Sequence, residues 1–139
     1  MKTSHQSHQP QLVVMNTTRG KQLITDGQVA DGSFTRLRGL LGRRGLEPGQ
    51  GLMIVPCQSI HMFFMAFPID VVYVSAEMEV VGIDHAIRPW RVGKPRPQSR
   101  FVLEVPAGTA KATGTQIGDC LKLDGYSLRH PLWLRLKPW

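Results

Sequence analysis

Apolar residues occur along this chain mostly in short runs and alternations separated by glycine and proline, the pattern of a β-rich protein. Leu12–Asn16 and Lys21–Ile24 are the first two predicted strands, and the Thr17–Gly20 segment between them is typical of a hairpin turn. Because Ser59–Phe67 is apolar on both of its alternating faces, we expect a central strand there that is covered on both sides. The other predicted strands are Leu52–Val55, Ile69–Val74, Glu79–Ile83, Arg100–Val105 and Gly118–Leu123.

Helical periodicity marks one segment clearly. Leu37, Leu40 and Leu41 are spaced i, i+3 and i+4, so they form one apolar stripe. This stripe predicts a helix over Phe34–Gly42, and Ala110–Thr113 is long enough for one more helical turn. Together the elements predict a mostly β (α+β) fold, a single small β-barrel or sandwich-like domain with one or two short helices.

The chain divides into one predicted domain and two tails. Residues 1–10 are polar and predict a disordered N-terminal tail. Residues 11–125 carry the predicted strands and helices and form a single β-rich domain, as a length of 139 residues suggests. Residues 126–139 form a basic, aromatic tail with strand-like alternation. It is either an edge strand that folds back on the domain or a segment that docks on a partner or a membrane surface.

The excess of positive charge is concentrated in two places, residues 88–100 and the C-terminal tail. Seventeen Lys and Arg against ten Asp and Glu give a net charge of +7, and five basic residues fall within Arg88–Arg100, where no acidic residue occurs. Three prolines in residues 86–98 predict a long loop. The loop has two interpretations, a solvated basic segment or a surface that binds an anionic small molecule, a protein partner or nucleic acid.

Apolar runs of membrane-spanning length are not found. The longest, Ile60–Val74, is interrupted by His61, Pro68 and Asp70. The first residues are polar and no apolar secretory core follows them, and two cysteines do not make a disulfide framework. These features predict a cytoplasmic protein.

His61 and Asp70 are the candidate catalytic residues. Asp70 shares a predicted strand face with Val72 and Val74, and a carboxylate on an apolar face must be hydrogen-bonded, paired or neutral. It is therefore either a structural cap or ion pair, or a general base or ligand acceptor with a raised pKa. The sequence has no Gly-x-Ser-x-Gly, no Cys-x-x-Cys and no phosphate-binding glycine motif, so we expect no metal site and no cofactor.

Arginines and one tryptophan supply the other candidate site. Arginine recognises carboxylate and phosphate through its planar fork, and Trp90 could stack on an aromatic ligand. The alternative is a solvated loop whose tryptophan covers the end of the sheet. The predicted ligand-binding set is Arg36, Arg43, His61, Asp70, Trp90 and Arg91.

Glu104 alternates with apolar neighbours in its predicted strand. Its side chain either faces solvent or receives an arginine of the predicted helix, which would order that helix against the sheet. We favour a structural role.

The order of several short motifs resembles the bacterial domain of unknown function family 192. The resemblance covers about residues 20–123 and implies a compact β-rich fold, but it implies no reaction because the family is uncharacterised. Met62 and Ala66 stand where many relatives have a polar and a basic residue. The motifs are Arg36–Arg43, Gly51–Met53, Ser59–His61, Phe63–Met65, Phe67–Tyr73, Pro89–Arg91, Val102–Gly108 and Gly118–Asp119.

Three hypotheses for function follow. The favoured one is a small non-enzymatic module that binds an anionic small molecule or a protein partner through an arginine-rich rim. The second is a hydrolase that uses His61 and Asp70 as acid and base. The third is nucleic-acid binding through the basic loop of residues 88–100.

Overall fold

Seven strands and one short helix form the part of the chain that the structure, a computed structural model, describes. This part comprises residues 12–31, 44–60, 62 and 65–126. The helix, α1, spans Thr109–Thr113. The strands are β1 (Leu12–Asn16), β2 (Lys21–Ala30), β3 (Gln50–Ile54), β4 (Ile69–Val74), β5 (Val80–Ile87), β6 (Phe101–Pro106) and β7 (Leu121–Asp124).

The strands form one sheet in the order β5-β4-β6-β3-β2-β1-β7. β2 and β3 pair in parallel, and every other neighbouring pair is antiparallel. The sheet curls into a half-barrel. Its two edge strands meet at one end, where the Val80 N–H donates to the Asp119 carbonyl over 2.8 Å and Glu79 bridges Cys120. The prediction of a mostly β fold is therefore confirmed.

The sheet buries apolar side chains on both of its faces. The inner cluster receives side chains from all seven strands, among them Leu12, Met53 and Phe101, and so fills the curl. The outer cluster combines side chains of β2, β3, β4 and β6 with Ile60, Met62 and Met65 of the β3–β4 connection. Burial on both faces explains why β4 is apolar almost throughout.

Most predicted strands and the turn at residues 17–20 are found, but the strand expected over Ser59–Phe67 is wrong. Its described residues belong to none of the seven strands. The segment is apolar because it covers the outer face of the sheet, which gives the same residue pattern as a central strand. The predicted helix over Phe34–Gly42, the tail of residues 1–10 and residues 127–139 lie outside the described residues.

No helix among the described residues combines the length and the apolar character needed to cross a membrane.

Candidate functional site

The basic loop of residues 88–100, called the basic loop below, is fixed to the β3–β4 connection by main-chain hydrogen bonds. The Met62 N–H donates to the Arg91 carbonyl over 2.6 Å, and the Trp90 N–H donates to the Met62 carbonyl over 2.7 Å. The Gly93 N–H donates to the Ile60 carbonyl over 2.8 Å. The loop predicted from the prolines is thus present. Its backbone is held against the β3–β4 connection on one side and is not surrounded by solvent.

A partly buried polar cluster anchors the same loop to the sheet. The Tyr73 hydroxyl donates to Asp84 Oδ2 over 2.7 Å, and the Arg96 guanidinium meets Asp84 Oδ1 at 3.0 Å. The Arg96 guanidinium also lies 4.2 Å from the centroid of the Tyr73 ring. Burial and the Asp84 carboxylate raise the pKa of the Tyr73 phenol, which therefore stays a donor. Arg96, one of the five basic residues of the loop, is consequently structural.

Gly93 is required where the loop meets this cluster. A Cβ atom at this position would lie 2.5 Å from the Tyr73 hydroxyl oxygen and 2.9 Å from Asp84 Oδ2. These distances are shorter than real Cβ contacts, so only glycine lets the loop backbone approach the sheet so closely.

The loop presents an exposed surface of mixed character. Trp90 is 58% exposed and Val92 is 63% exposed, the two large apolar side chains that the loop leaves on the surface. Arg88, Arg91 and Lys94 are exposed beside them. Trp90 has a φ of 68°, a conformation that bulky residues rarely adopt and that a well-anchored segment can maintain.

Asp70 lies at the other side of the sheet and is saturated with backbone donors. Its Oδ1 accepts from the Ala86 N–H over 2.7 Å, and its Oδ2 accepts from the N–H groups of Gly108 and Ala110 over 3.1 and 2.9 Å. Asp70 therefore joins the end of β5 to the first turn of α1, the structural cap considered from the sequence. Its use as a general base stays a prediction.

Glu104 is a buried carboxyl that was not among the predicted site residues, because the sequence favoured a structural role for it. Its residue is 7% exposed, and within the described part of the chain it has no hydrogen bond or ion pair. Burial raises the pKa of the Glu104 carboxyl to about 7. Alternation along a predicted strand was the signal available, but it left open whether the residue faced solvent.

A third carboxylate, Asp119, is buried in a fully paired network. Arg19 donates to both of its oxygens, at 3.0 and 3.2 Å, and Asn16 and the Gln116 N–H donate to Oδ2. The hydrogen bond from Arg19 is the main cause that lowers the pKa of Asp119 to about 2. This network ties the β1–β2 hairpin to the segment before β7.

The predicted site residues do not form one cluster in the described structure. Trp90 and Arg91 lie on the basic loop at the outer face, whereas Asp70 points to the end of the curl capped by α1. Arg36, Arg43 and His61 lie outside the described residues. Among the residues that are described, no group of three His, Cys, Asp or Glu is placed to hold a metal ion.

Comparison with known proteins identifies the family. The DUF192 family, described as "Uncharacterized ACR", matches residues 14–123. The chain belongs to this family. The DUF192 match includes β2 to β6, most of β1 and β7, the basic loop and all three buried carboxylates.

The sequence resemblance was to a bacterial family, but two named relatives come from archaea. The family is therefore not restricted to bacteria. A UPF0127 protein of Thermococcus sibiricus is 35% identical over 115 residues, which cover 77% of this chain and 71% of the relative. A UPF0127 protein of Pyrococcus furiosus is 30% identical over 115 residues, which cover 78% of this chain and 96% of the relative.

Two solved bacterial structures share the fold. A protein of unknown function from Novosphingobium aromaticivorans matches with a TM-score of 0.69 and 23% identity, over 81% of this chain and 83% of that one. A protein from Sinorhizobium meliloti, described as a candidate transcription regulator, matches with a TM-score of 0.67 and 22% identity, over 84% of this chain and 94% of that one.

Proposed function

We propose that this DUF192 protein is a binding module that holds an anionic partner on the basic loop. The observation that carries the proposal is the exposed Trp90 between Arg88 and Arg91 on a backbone that is hydrogen-bonded to the β3–β4 connection. Tryptophan and arginine are the residues that contribute most to binding energy in interfaces. An anchored loop loses little conformational entropy when it binds.

A protein partner with an acidic surface fits this loop better than a small anion does. Trp90 and Val92 each have more than half of their surface exposed, whereas small-molecule sites enclose most of the ligand. Arg88, Arg91 and Lys94 would then pair with carboxylates of the partner at the rim of the contact.

The test uses a fluorescent peptide rich in Glu and Leu, with a matched peptide in which Gln replaces Glu. We expect R88A/R91A to weaken binding of the acidic peptide at least tenfold. The control K111A/K122A removes the same charge at exposed positions of α1 and β7 and should bind like the unchanged protein. Equal losses in the two double variants would mean that only net charge matters, and would contradict a site on the loop.

Nucleic acid is the second candidate ligand, because the Sinorhizobium meliloti protein is described as a candidate transcription regulator. A structural similarity at 22% identity supports the fold alone. Nucleic-acid binding is therefore measured in the same experiment as an alternative outcome. Binding of a labelled oligonucleotide that falls steeply with salt and depends on Arg88 and Arg91 would favour it over a protein partner.

A further inference from the structure

Glu104 occupies an apolar position at the centre of the sheet. On one side it is paired in register with Leu52 of β3, and on the other with Val71 of β4. Both neighbours are buried and belong to the outer cluster. Alternation along β6 puts Phe101, Leu103 and Val105 in the inner cluster, so the Glu104 carboxyl lies on the outer face.

The carboxyl has no partner within the described residues, which sets it apart from the other buried acids. Asp70 and Asp119 are each surrounded by donors. Asp84 and Arg96 of the outer face pair with each other. Buried polar groups nearly always have a hydrogen-bond partner. Among the described residues, the fully enclosed side-chain atom without such a partner is Arg100 Nε, so the unpartnered Glu104 carboxyl keeps some contact with solvent.

The carboxyl lies near the end of the sheet where β3 and β4 begin. Leu52 and Val71, its neighbours, are each the third residue of their strand. Leu46 before β3 and Phe67 before β4 are only partly buried and pack against the outer cluster. The Glu104 residue itself keeps 7% of its surface exposed.

We propose that Glu104 is the recognition group of a second binding site, which takes a small ligand with an apolar body and a protonated amine. An isolated carboxylate in apolar surroundings is stabilised by a cation that comes within a few ångströms. The apolar side chains of Leu52 and Val71 beside Glu104, and of Phe67 in the same outer cluster, suit the apolar body. This site does not depend on the basic loop, whose charges are positive.

The first experiment tests whether the carboxyl can be reached. The full-length protein is treated at pH 6.5 with dicyclohexylcarbodiimide, an apolar reagent that adds to protonated carboxyls, and the modified residue is located by peptide mass spectrometry. The carboxyl oxygen bonds to the central carbon of the reagent, its proton passes to a nitrogen, and acyl transfer to nitrogen gives a stable adduct. We expect Glu104 to be the main labelled residue, with labelling that falls as the pH rises above 7.

The second experiment tests the ligand class by titrating benzylamine, cyclohexylamine and hexylamine at pH 8, with benzyl alcohol as the uncharged counterpart. We expect at least one amine to bind E104Q tenfold more weakly than the unchanged protein. E77Q, which alters an exposed glutamate in the turn before β5, should leave that binding unchanged.

Two results would overturn the proposal. One is a Glu104 that escapes labelling in the folded protein but is labelled after unfolding, since the carboxyl would then be sealed or paired. The other is that no amine distinguishes the unchanged protein from E104Q, or that benzyl alcohol binds as well as benzylamine.

Discussion

Asp70 and Glu104 lie on adjacent rungs of the same β4–β6 ladder, where Asp70 faces Val105 and Val71 faces Glu104. Their side chains point to opposite faces of the sheet. Asp70 accepts three backbone hydrogen bonds, whereas Glu104 accepts none from the described residues. The same residue chemistry at nearly the same depth therefore does two different things. One carboxylate organises the chain around it, and the other remains available to a ligand.

The largest effect is expected from Asp70→Ala, because it leaves three backbone N–H donors, of which that of Ala110 is buried, without their acceptor. A hydrogen bond to a charged group contributes roughly 1.5–3 kcal/mol, so the loss of three should lower the free energy of unfolding by about 4 kcal/mol in urea denaturation. Asp70→Asn, which keeps one acceptor oxygen, should lose about half as much. A loss under about 1 kcal/mol for Asp70→Ala would mean that the carboxylate does not hold α1 and β5 together.

Glu104→Gln should reduce the loss of stability that the protein undergoes as the pH rises. The folded protein keeps the Glu104 proton up to a pKa of about 7, whereas the unfolded chain releases it near 4.5. Stability from this group is thus present below pH 4.5 and is lost as the pH rises through 7, a change of about 3 kcal/mol.

The measurement is urea denaturation of the unchanged protein and of Glu104→Gln at pH 5 and pH 8. The glutamine is neutral at both values, so the variant should lose less stability between them and should be the more stable protein at pH 8. Parallel pH profiles for the two proteins would show that a partner stabilises the charged form of Glu104. Glu104 would then be a paired carboxylate like Asp70.

The contrast between the two carboxylates also marks the limit of what the sequence predicts. Alternation placed both residues on strands, because one-sided apolar patterns follow directly from strand geometry. It could not assign partners, since the donors to Asp70 come from Ala86, Gly108 and Ala110, far along the chain. Because alternation does not show whether a side chain has partners, it also favoured a structural role for Glu104.

The basic loop shows a second limit. Its prolines and charges predicted a loop, and the structure agrees. The pattern did not reveal that Arg96 belongs to a partly buried cluster while Arg91 is exposed, because that depends on Tyr73 of β4 and Asp84 of β5. The prediction of a strand over Ser59–Phe67 was wrong for a different reason. A segment that covers a sheet and a strand inside it both require apolar residues, so the pattern does not distinguish them.

A smaller effect is expected where the basic loop meets the sheet. The added methyl of Gly93→Ala would contact Tyr73 and Asp84 and push the loop outward, which should lower the free energy of unfolding by about 2 kcal/mol. Gly45→Ala is the matched control, since nothing lies within 4 Å of its added Cβ. If Gly93→Ala kept full stability and full binding of the acidic peptide, the anchoring of the loop would not matter for recognition.

The smallest effect is expected from Asp119→Asn, in a network that resembles Asp70 in its pairing but lies nearer to water. The pKa of Asp119 is lowered from 3.8 to about 2, so its contribution to stability is present above pH 4 and lost as the pH falls through 2. Its partner Arg19 has 37% of its side chain exposed, and water therefore screens the pair. We expect Asp119→Asn to lower the melting temperature slightly at pH 6 and to match the unchanged protein near pH 2. A melting difference that persisted unchanged at pH 2 would assign the role of Asp119 to hydrogen bonding with Asn16 and Gln116 rather than to its charge.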